Sequence, residues 1–391
     1  MNKNRAATRS ERHVAEPPAK PQSGHAISRR SFIQYLGAGL LITVTGDVSF
    51  AQRRGGRGRG GLPVAARLHL NEDGTVTVMT GKVEEGQGAR AELTQAAAEE
   101  LRVAADRIHL VMADSGLTPD DGRTAGSRTT PSTVPAVRQG AAAARELLER
   151  LAAKQWGVAP GDLKIHDGAI AHAATHRTLT YADLAKSKDV AEAFAEDIPA
   201  DVTVTAVENW ETMGESVPRS NWRDLVTGAH KYPADIVRPN MLYGKILRPP
   251  SYGATLEDID LAPAREMKDV VVLQEGQFVG CAAPTTYQAI QAVEALAKTA
   301  RWNETGSQPS NKELYSHLKQ NARGSRPRTR GSVEQGLAAA GKTLSATYEI
   351  AYIQHTPMET KAAVAEWTDG KLTVWAGVDG PHSVQGEVAR A

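Results

Sequence analysis

Between residues 67 and 156 the chain repeats one pattern of apolar and polar positions twice. Each pass has a short alternating run, a loop rich in Gly, Ser and Thr, and then apolar residues returning every three or four positions. In the first pass Thr75–Met79 (TVTVM) has the period of a half-buried strand, and Gly81–Gly88 forms the loop. A helix is predicted over Ala89–Leu101, with Ala89, Leu93, Ala96, Ala97 and Leu101 on one face. The second pass predicts a strand over Arg107–Ala113, the loop DSGLTPDDGRTAGSRTTPST, and a helix from Pro135 to about Trp156. Val137, Ala141, Ala144, Leu147, Leu148 and Leu151 form the apolar stripe of that helix, and Gly157 with Pro160 stops it.

Further along, periodicity weakens until about Pro199 and a new unit opens near Gly214. Strand patterns at Met241–Leu247, Val270–Leu273 and Phe278–Ala283 precede a helix over Tyr287–Thr299. Thr285 and Gln288 make a capping box for that helix, with Ile290, Val293 and Leu296 expected inward. Residues 305–335 read as linker, and alternation over Leu344–Ile350 predicts a strand. The final signal is a hairpin, AVAEWTDGKLTVWAG, turning at Asp369-Gly370.

Composition narrows the class without naming it. With 391 residues, 41% hydrophobic and 23% charged, the chain can bury more than one core. Residues 1–60 carry eleven Lys and Arg against three acids while the whole chain is only +1, so the remainder is mildly acidic. That argues against a nucleic-acid partner. A lone cysteine, Cys281, excludes an internal disulfide, a cysteine-ligated zinc site and an iron–sulfur cluster held by this chain. It lies in an apolar strand and reads as core. Ser28-Arg29-Arg30-Ser31-Phe32-Ile33, the apolar run Tyr35–Val48 and Ser49-Phe50-Ala51 have the order of a twin-arginine export signal. The run is too short to span a membrane, so the expectation is a periplasmic protein exported folded.

A strand, a glycine-rich turn and a helix can present backbone amides to an anionic ligand. Gly86, Gly88 and Ala91 spell GxGxxA, but Gly86 lies seven positions after Met79, too far for the dinucleotide fingerprint. An NAD-binding Rossmann-type enzyme therefore stays a minor alternative. His355, ahead of Pro357, reads as a packing or hydrogen-bonding residue rather than a ligand, and His166, His172 and His176 read as surface.

Four segments in order, GKVEEGQGARAELTQAAAEEL, DSGLTPDDGRTAGSRTT, LVTGAHKYPADIVRPNMLYGKILRPP and YIQHTPMETKAAVAEWTDGKLTVWAG, resemble the molybdopterin-binding subunit of the xanthine dehydrogenase/aldehyde oxidase family. The order resembles in particular its isoquinoline 1-oxidoreductase and nicotinate dehydrogenase large subunits. The resemblance implies an α+β (mixed α/β) fold. It divides the chain into a signal peptide (1–51), a flexible linker (52–66), a molybdopterin-binding segment (67–199) and an α/β-hammerhead-like domain (200–304), followed by a second linker (305–340) and the start of a second molybdopterin-binding domain (341–391). It also implies a molybdenum–molybdopterin cofactor, in this branch the cytosine dinucleotide form, contacted by Gly86, Gln87 and Gly88 and by a second loop, Ala125, Gly126, Ser127, Arg128 and Thr129. The implied reaction hydroxylates an N-heteroaromatic compound or oxidises an aldehyde with water as oxygen donor. Electrons would pass to [2Fe-2S] clusters on an iron–sulfur small subunit, with a cytochrome c as candidate acceptor beyond it.

Departures are visible. Where the family has glutamine in a TQxP segment, this chain has Val378-Asp379-Gly380-Pro381, which makes Asp379 a candidate contact that brings an acid close to the metal. The family's PGM turn is Pro239-Asn240-Met241, and its GGGFG loop and glutamate base are expected beyond Ala391, so no catalytic residue and no protein metal ligand is assigned here. A non-catalytic exported scaffold retaining the cofactor loops is the competing reading.

Overall fold

The computed structural model describes residues 62–306, 309–324, 328 and 330–391. The export signal and most of the first linker lie outside them. The chain divides into two compact units, one formed by residues up to Ile236 together with Lys361–Ala391, the other by Val237–Thr360.

In the first unit β1 (Leu68–Leu70), β2 (Val76–Thr80) and β3 (Ile108–Met112) form a sheet of order β1-β2-β3. β2 pairs antiparallel with β1 and parallel with β3, with Val78 opposite both Leu68 and Leu110. The crossover between the parallel strands is α1 (Ala89–Leu101), and α2 (Val134–Trp156) follows β3. Sequence periodicity made β2 half-buried, yet every residue of it is buried. Val76 and Val78 join the core with Leu93, Ala97, Val137 and Ala141, while Thr77 and Thr80 are covered by hydrogen bonds from Asn71 and to Asp121. A strand buried on both faces with one polar face keeps the alternation of an exposed one, and here that face is satisfied internally.

α1 is likewise buried beyond its predicted stripe. Glu99 and Glu100 are both inside, and the Glu100 carboxylate lies between Arg138 and Arg145 of α2, at 2.7 and 3.1 Å, while Thr205 donates its N–H to it. Glu99 accepts the N–H groups of Glu211, Thr212 and Met213 at 2.7–3.0 Å. These two acids strap residues 203–213 across the helix pair.

The stretch of weak periodicity holds a small antiparallel sheet, β4 (Leu163–His166), β5 (Ala169–His172) and β6 (Arg177–Thr180). Tyr181, just after it, donates its hydroxyl to the Leu101 carbonyl at 2.9 Å and so closes the C-terminal end of α1. His166 and His176 are exposed as expected, but His172 is buried, its ring Nδ1 2.7 Å from the Thr175 hydroxyl. Residues 62–66 belong to this unit: Val64 is fully buried and bonds to the Glu196 carbonyl.

The second unit contains β7 (Tyr243–Ile246), β8 (Thr255–Asp258), β9 (Val271–Glu275), β10 (Phe278–Ala283), α3 (Thr286–Ala297) and β11 (Arg301–Asn303). The strands form one antiparallel sheet of order β7-β10-β9 and a pair β11-β8. Thr285 caps α3 by accepting from the Gln288 N–H. Leu296 is buried and Val293 packs against the core, but Ile290 is turned outward and Ala289 and Ala292 take the inner face. Cys281 is buried in β10, which raises its thiol pKa. Asn240, in the place of the PGM glycine, has φ 56°, a left-handed value that asparagine tolerates. Short helices at Leu314–Gln320 and Val333–Ala338 lie in the stretch expected to be linker.

The strand expected over Leu344–Ile350 does not form. Leu344 is 101% and Tyr348 86% exposed, and no described strand pairs with them, so the alternation finds no sheet to join. His355 lies in the same irregular, exposed stretch. The hairpin β12 (Ala363–Thr368) and β13 (Lys371–Ala376) follows, turning on Asp369 (φ 50°) and Gly370 (φ 74°), then α4 (Pro381–Val388). Two positive φ values are what a type I′ hairpin turn requires. No helix among the described residues is long and apolar enough to cross a membrane.

Candidate functional site

Three loops of the first unit converge at the C-terminal end of β2. The first, Gly81–Gly88, carries β2 into α1. Gly86 and Gly88 have φ 98° and 90°, values that strain any residue with a Cβ, and open space lies where their side chains would be. Gln87 between them is exposed. Its side-chain carbonyl accepts from the Glu85 N–H at 2.6 Å and its amide donates to the Val83 carbonyl at 3.2 Å.

The second loop, residues 113–133, is held beneath the first by Asp121. This carboxylate accepts from the two terminal Arg67 guanidinium nitrogens at 2.6–2.8 Å, from the Thr80 hydroxyl at 2.6 Å and from the Gly81 N–H at 3.0 Å. Burial acts to raise its pKa, but the Arg67 charge and these hydrogen bonds outweigh it and hold the carboxyl below its usual range. Lys82, buried beside it, donates to the Arg123 carbonyl at 2.8 Å, and Val83 donates its N–H to the Thr124 hydroxyl at 2.9 Å. Burial, together with the nearby Arg128 charge, lowers the Lys82 pKa despite Asp121.

Ala125, Gly126, Ser127 and Arg128 are exposed on the rim, while Thr129 is buried at the start of the single π-helical turn, Thr129–Thr133, that leads into α2. Gly126 and Ser127 have φ 60° and 54° in succession, so the backbone reverses tightly there. Among the described residues the N–H groups of Ala125, Gly126 and Ser127 donate to nothing in the protein.

The third loop comes from the far end of the chain. Arg123 forms a two-pronged pair with Asp379 at 2.9–3.2 Å, the Thr124 N–H donates to the Asp379 carbonyl at 2.7 Å, and Thr118 meets His382 at 3.3 Å. The third loop lies beside the first as well, since a Cβ on Gly81 would lie 3.2 Å from the His382 ring. Two glycines permit the approach. A Cβ on Gly81 would lie 2.4 Å from the Pro119 carbonyl, and one on Gly380 would lie 2.8 Å from the Arg123 side chain.

The residues read from sequence, Gly86, Gln87, Gly88, the Ala125–Thr129 run and Asp379, thus lie on three loops that are joined through Lys82–Arg123, Val83–Thr124 and Arg123–Asp379. Sequence reasoning passed over Glu84, Asp121, Arg123 and Arg219. Glu84 accepts the N–H groups of Gly86, Gly88 and Arg90 at 2.8–3.1 Å, and Arg219 stands 3.3 Å from it. A carboxylate shortly before a helix start was a signal that could have exposed its role.

Comparison with known proteins accords with this geometry. Residues 19–236 and again 315–391 match the family described as molybdopterin cofactor-binding domain. The chain is 31% identical over 339 residues to a subunit of the nicotinate dehydrogenase of Pseudomonas putida, covering 83% of this chain and 28% of that protein. It is 27% identical over 305 residues to the beta subunit of isoquinoline 1-oxidoreductase from Brevundimonas diminuta, covering 65% of this chain and 37% of that protein. It therefore spans roughly a third of the length of these relatives. Among solved structures, quinoline 2-oxidoreductase from Pseudomonas putida 86 aligns with a TM-score of 0.27 at 25% identity, over 35% of this chain and 17% of that one. With the family matched over more than half of the chain, the dinucleotide reading of GxGxxA gives way, and this protein belongs to the molybdopterin cofactor-binding domain family of xanthine dehydrogenase type.

Proposed function

We propose that the chain is the molybdenum-cofactor-holding part of an exported hydroxylase that acts on N-heteroaromatic compounds or aldehydes, working with an iron–sulfur small subunit. The observation that carries the reading is that the loops bearing Gly86–Gly88, Ala125–Thr129 and Asp379 are joined to one another, the first to the second at Val83–Thr124 and the second to the third at Arg123–Asp379. The residues present fit a large, anionic, organic cofactor. Gly86 and Gly88 leave room for it to approach the main chain, and Gln87 has one N–H and one lone pair to spare. The amides of Ala125, Gly126 and Ser127, unpartnered among the described residues, with the exposed Arg128 guanidinium, suit phosphate or pterin oxygens. When bound, a molybdenum pterin supplies a two-electron acceptor and a Lewis acid that makes water nucleophilic near neutral pH.

The chain's own residues hold and shield. Asp121, Lys82 and Thr124 fix the second loop against the first, and Arg123 keeps the Asp379 carboxylate paired instead of leaving a bare charge in the cluster. The names of the relatives support nicotinate- or isoquinoline-like substrates, and the twin-arginine pattern supports export.

The test is purification of the complex from its host, followed by metal analysis, pterin release with identification of the nucleotide, and dye reduction by nicotinate, isoquinoline and aldehydes. Molybdenum with cytidine monophosphate, iron on a second subunit and substrate-dependent dye reduction are expected. A folded complex holding molybdenum but oxidising none of these compounds would favour the scaffold reading.

A further inference from the structure

The helix end that a glycine-rich turn would offer to an anion is filled from within. At the start of α1, the Glu84 carboxylate takes the N–H groups of Gly86 at 2.8 Å, Gly88 at 3.1 Å and Arg90 at 2.8 Å. Its side chain is only 9% exposed. Burial would raise its pKa, but the three amides and Arg219 hold the carboxyl below its usual range, so at neutral pH it is a fixed internal anion. A ligand phosphate cannot share those amides, because its oxygens would meet a charged carboxylate already seated on them. Gly86 and Gly88 are therefore locked at their positive φ angles by a side chain, and Gln87 is carried between two fixed points.

Resting on the cofactor reading above, we propose that Glu84 is the positioning residue of the glycine-rich turn. It replaces a ligand anion at the start of α1, closes that helix end to the cofactor, and sets Gln87 as the group of this turn that meets it. Arg219 neutralises Glu84 from the segment that follows the strap held by Glu99, so the turn is tied to α1 on one side and to residues 211–221 on the other.

The experiment uses the complex from its host carrying Glu84→Ala, Glu84→Gln or Arg219→Gln, with molybdenum and pterin measured per folded complex and thermal midpoints with and without added acetate. Molybdenum content is expected to fall about tenfold in both Glu84 variants, the equivalent of losing one charged hydrogen bond, and less in Arg219→Gln. Acetate should restore the midpoint of Glu84→Ala by refilling the amides, and leave wild type unmoved. A merely structural glutamate would lower the midpoint without changing metal per folded molecule. Full molybdenum in Glu84→Gln, or no rescue of Glu84→Ala by acetate, overturns the proposal. If Glu84→Ala does not assemble, the isosteric Glu84→Gln decides through its metal content. A wild-type complex without molybdenum brings down the cofactor reading and this inference together, whereas a loaded wild type beside a loaded Glu84→Gln brings down the inference alone.

Discussion

At Gly81 a single hydrogen separates a seated loop from a displaced one. A methyl group there would press to 2.4 Å from the Pro119 carbonyl, and backbone cannot retreat as a side-chain tip does. Gly81→Ala should therefore destabilise the first unit by about 1–3 kcal/mol, the usual cost of overpacking, and free the 113–124 segment to proteases. Denaturant midpoints and limited proteolysis would check this, and an unchanged midpoint would show that the loop gives way freely. Asp121 adds a dependence on pH. Its folded-state pKa is depressed, so its contribution is fully present above the unfolded value near 4 and is lost as pH falls through the folded value. Asp121→Asn should be much less stable than wild type at pH 7, since it leaves Arg67 buried without its anion, and the gap should close as pH drops below about 4. A gap that stays constant down to pH 2 would mean that the Arg67 pair contributes no net stability. Gln87→Ala makes the contrasting case: its two bonds lie in an exposed turn, so stability should change by less than about 1 kcal/mol while molybdenum content falls. Full occupancy with an unchanged melt would reduce Gln87 to a turn residue.

The two helices behind the loops are joined by buried charge as well as by apolar packing. Glu100, fully buried, is clamped by Arg138 and Arg145 and by the Thr205 N–H, so Glu100→Ala leaves Arg138 without its anion and Arg145 with only the longer contact to Glu146, and should cost about 3–5 kcal/mol. The exposed pair Arg301–Asp258 is the control, and Arg301→Ala should change stability by no more than about 1 kcal/mol. Comparable losses in chemical denaturation would refute the burial argument. Elements were legible in the sequence where a local rule settled them. α1 runs from Ala89 to Leu101 as its periodicity required, α2 ends at Gly157 in a left-handed cap, and the last hairpin turns on Asp369-Gly370. Elements with a weak local pattern, or whose pairing needs a neighbour, were not. The β4–β6 sheet pairs within residues 163–180 yet was invisible in a stretch of Gly, Ala and His, and the alternation at Leu344–Ile350 gave no strand for want of a neighbour. The loop cluster divides in the same way. Its glycines and Gln87 form a local motif, but Asp121 reaches Arg67 across 54 residues and Glu84 reaches Arg219 across 135, separations at which one sequence carries no pairing signal.

For the whole molecule, the proposed export route makes a claim independent of any site. Arg29→Lys combined with Arg30→Lys should leave the protein in the cytoplasm with its leader uncleaved, as cell fractionation would show. Periplasmic accumulation of the double variant would remove the export argument. The first unit is built from two separated stretches of sequence, and this has a different consequence, which concerns order in time. Arg123 receives its partner, Asp379, only after 256 further residues, and Thr118 waits 264 for His382. At about 5–20 residues per second, a ribosome needs on the order of tens of seconds to deliver them. Closing so long a loop costs about 1.6 kcal/mol more than closing the 41-residue one that joins Val83 to Thr124. On a nascent chain the sheet and helix pair can therefore be complete while the loop above them is still half-held. A chain stopped at Thr360 should keep α1 and α2 amides protected from hydrogen exchange and lose protection across residues 114–124. Equal protection in both would show that this loop sets without its late partner. If the difference is found, a nascent chain has its sheet and helix pair early and the loop above them last, and the cofactor proposed for that loop would wait for the translation of residues 379–382.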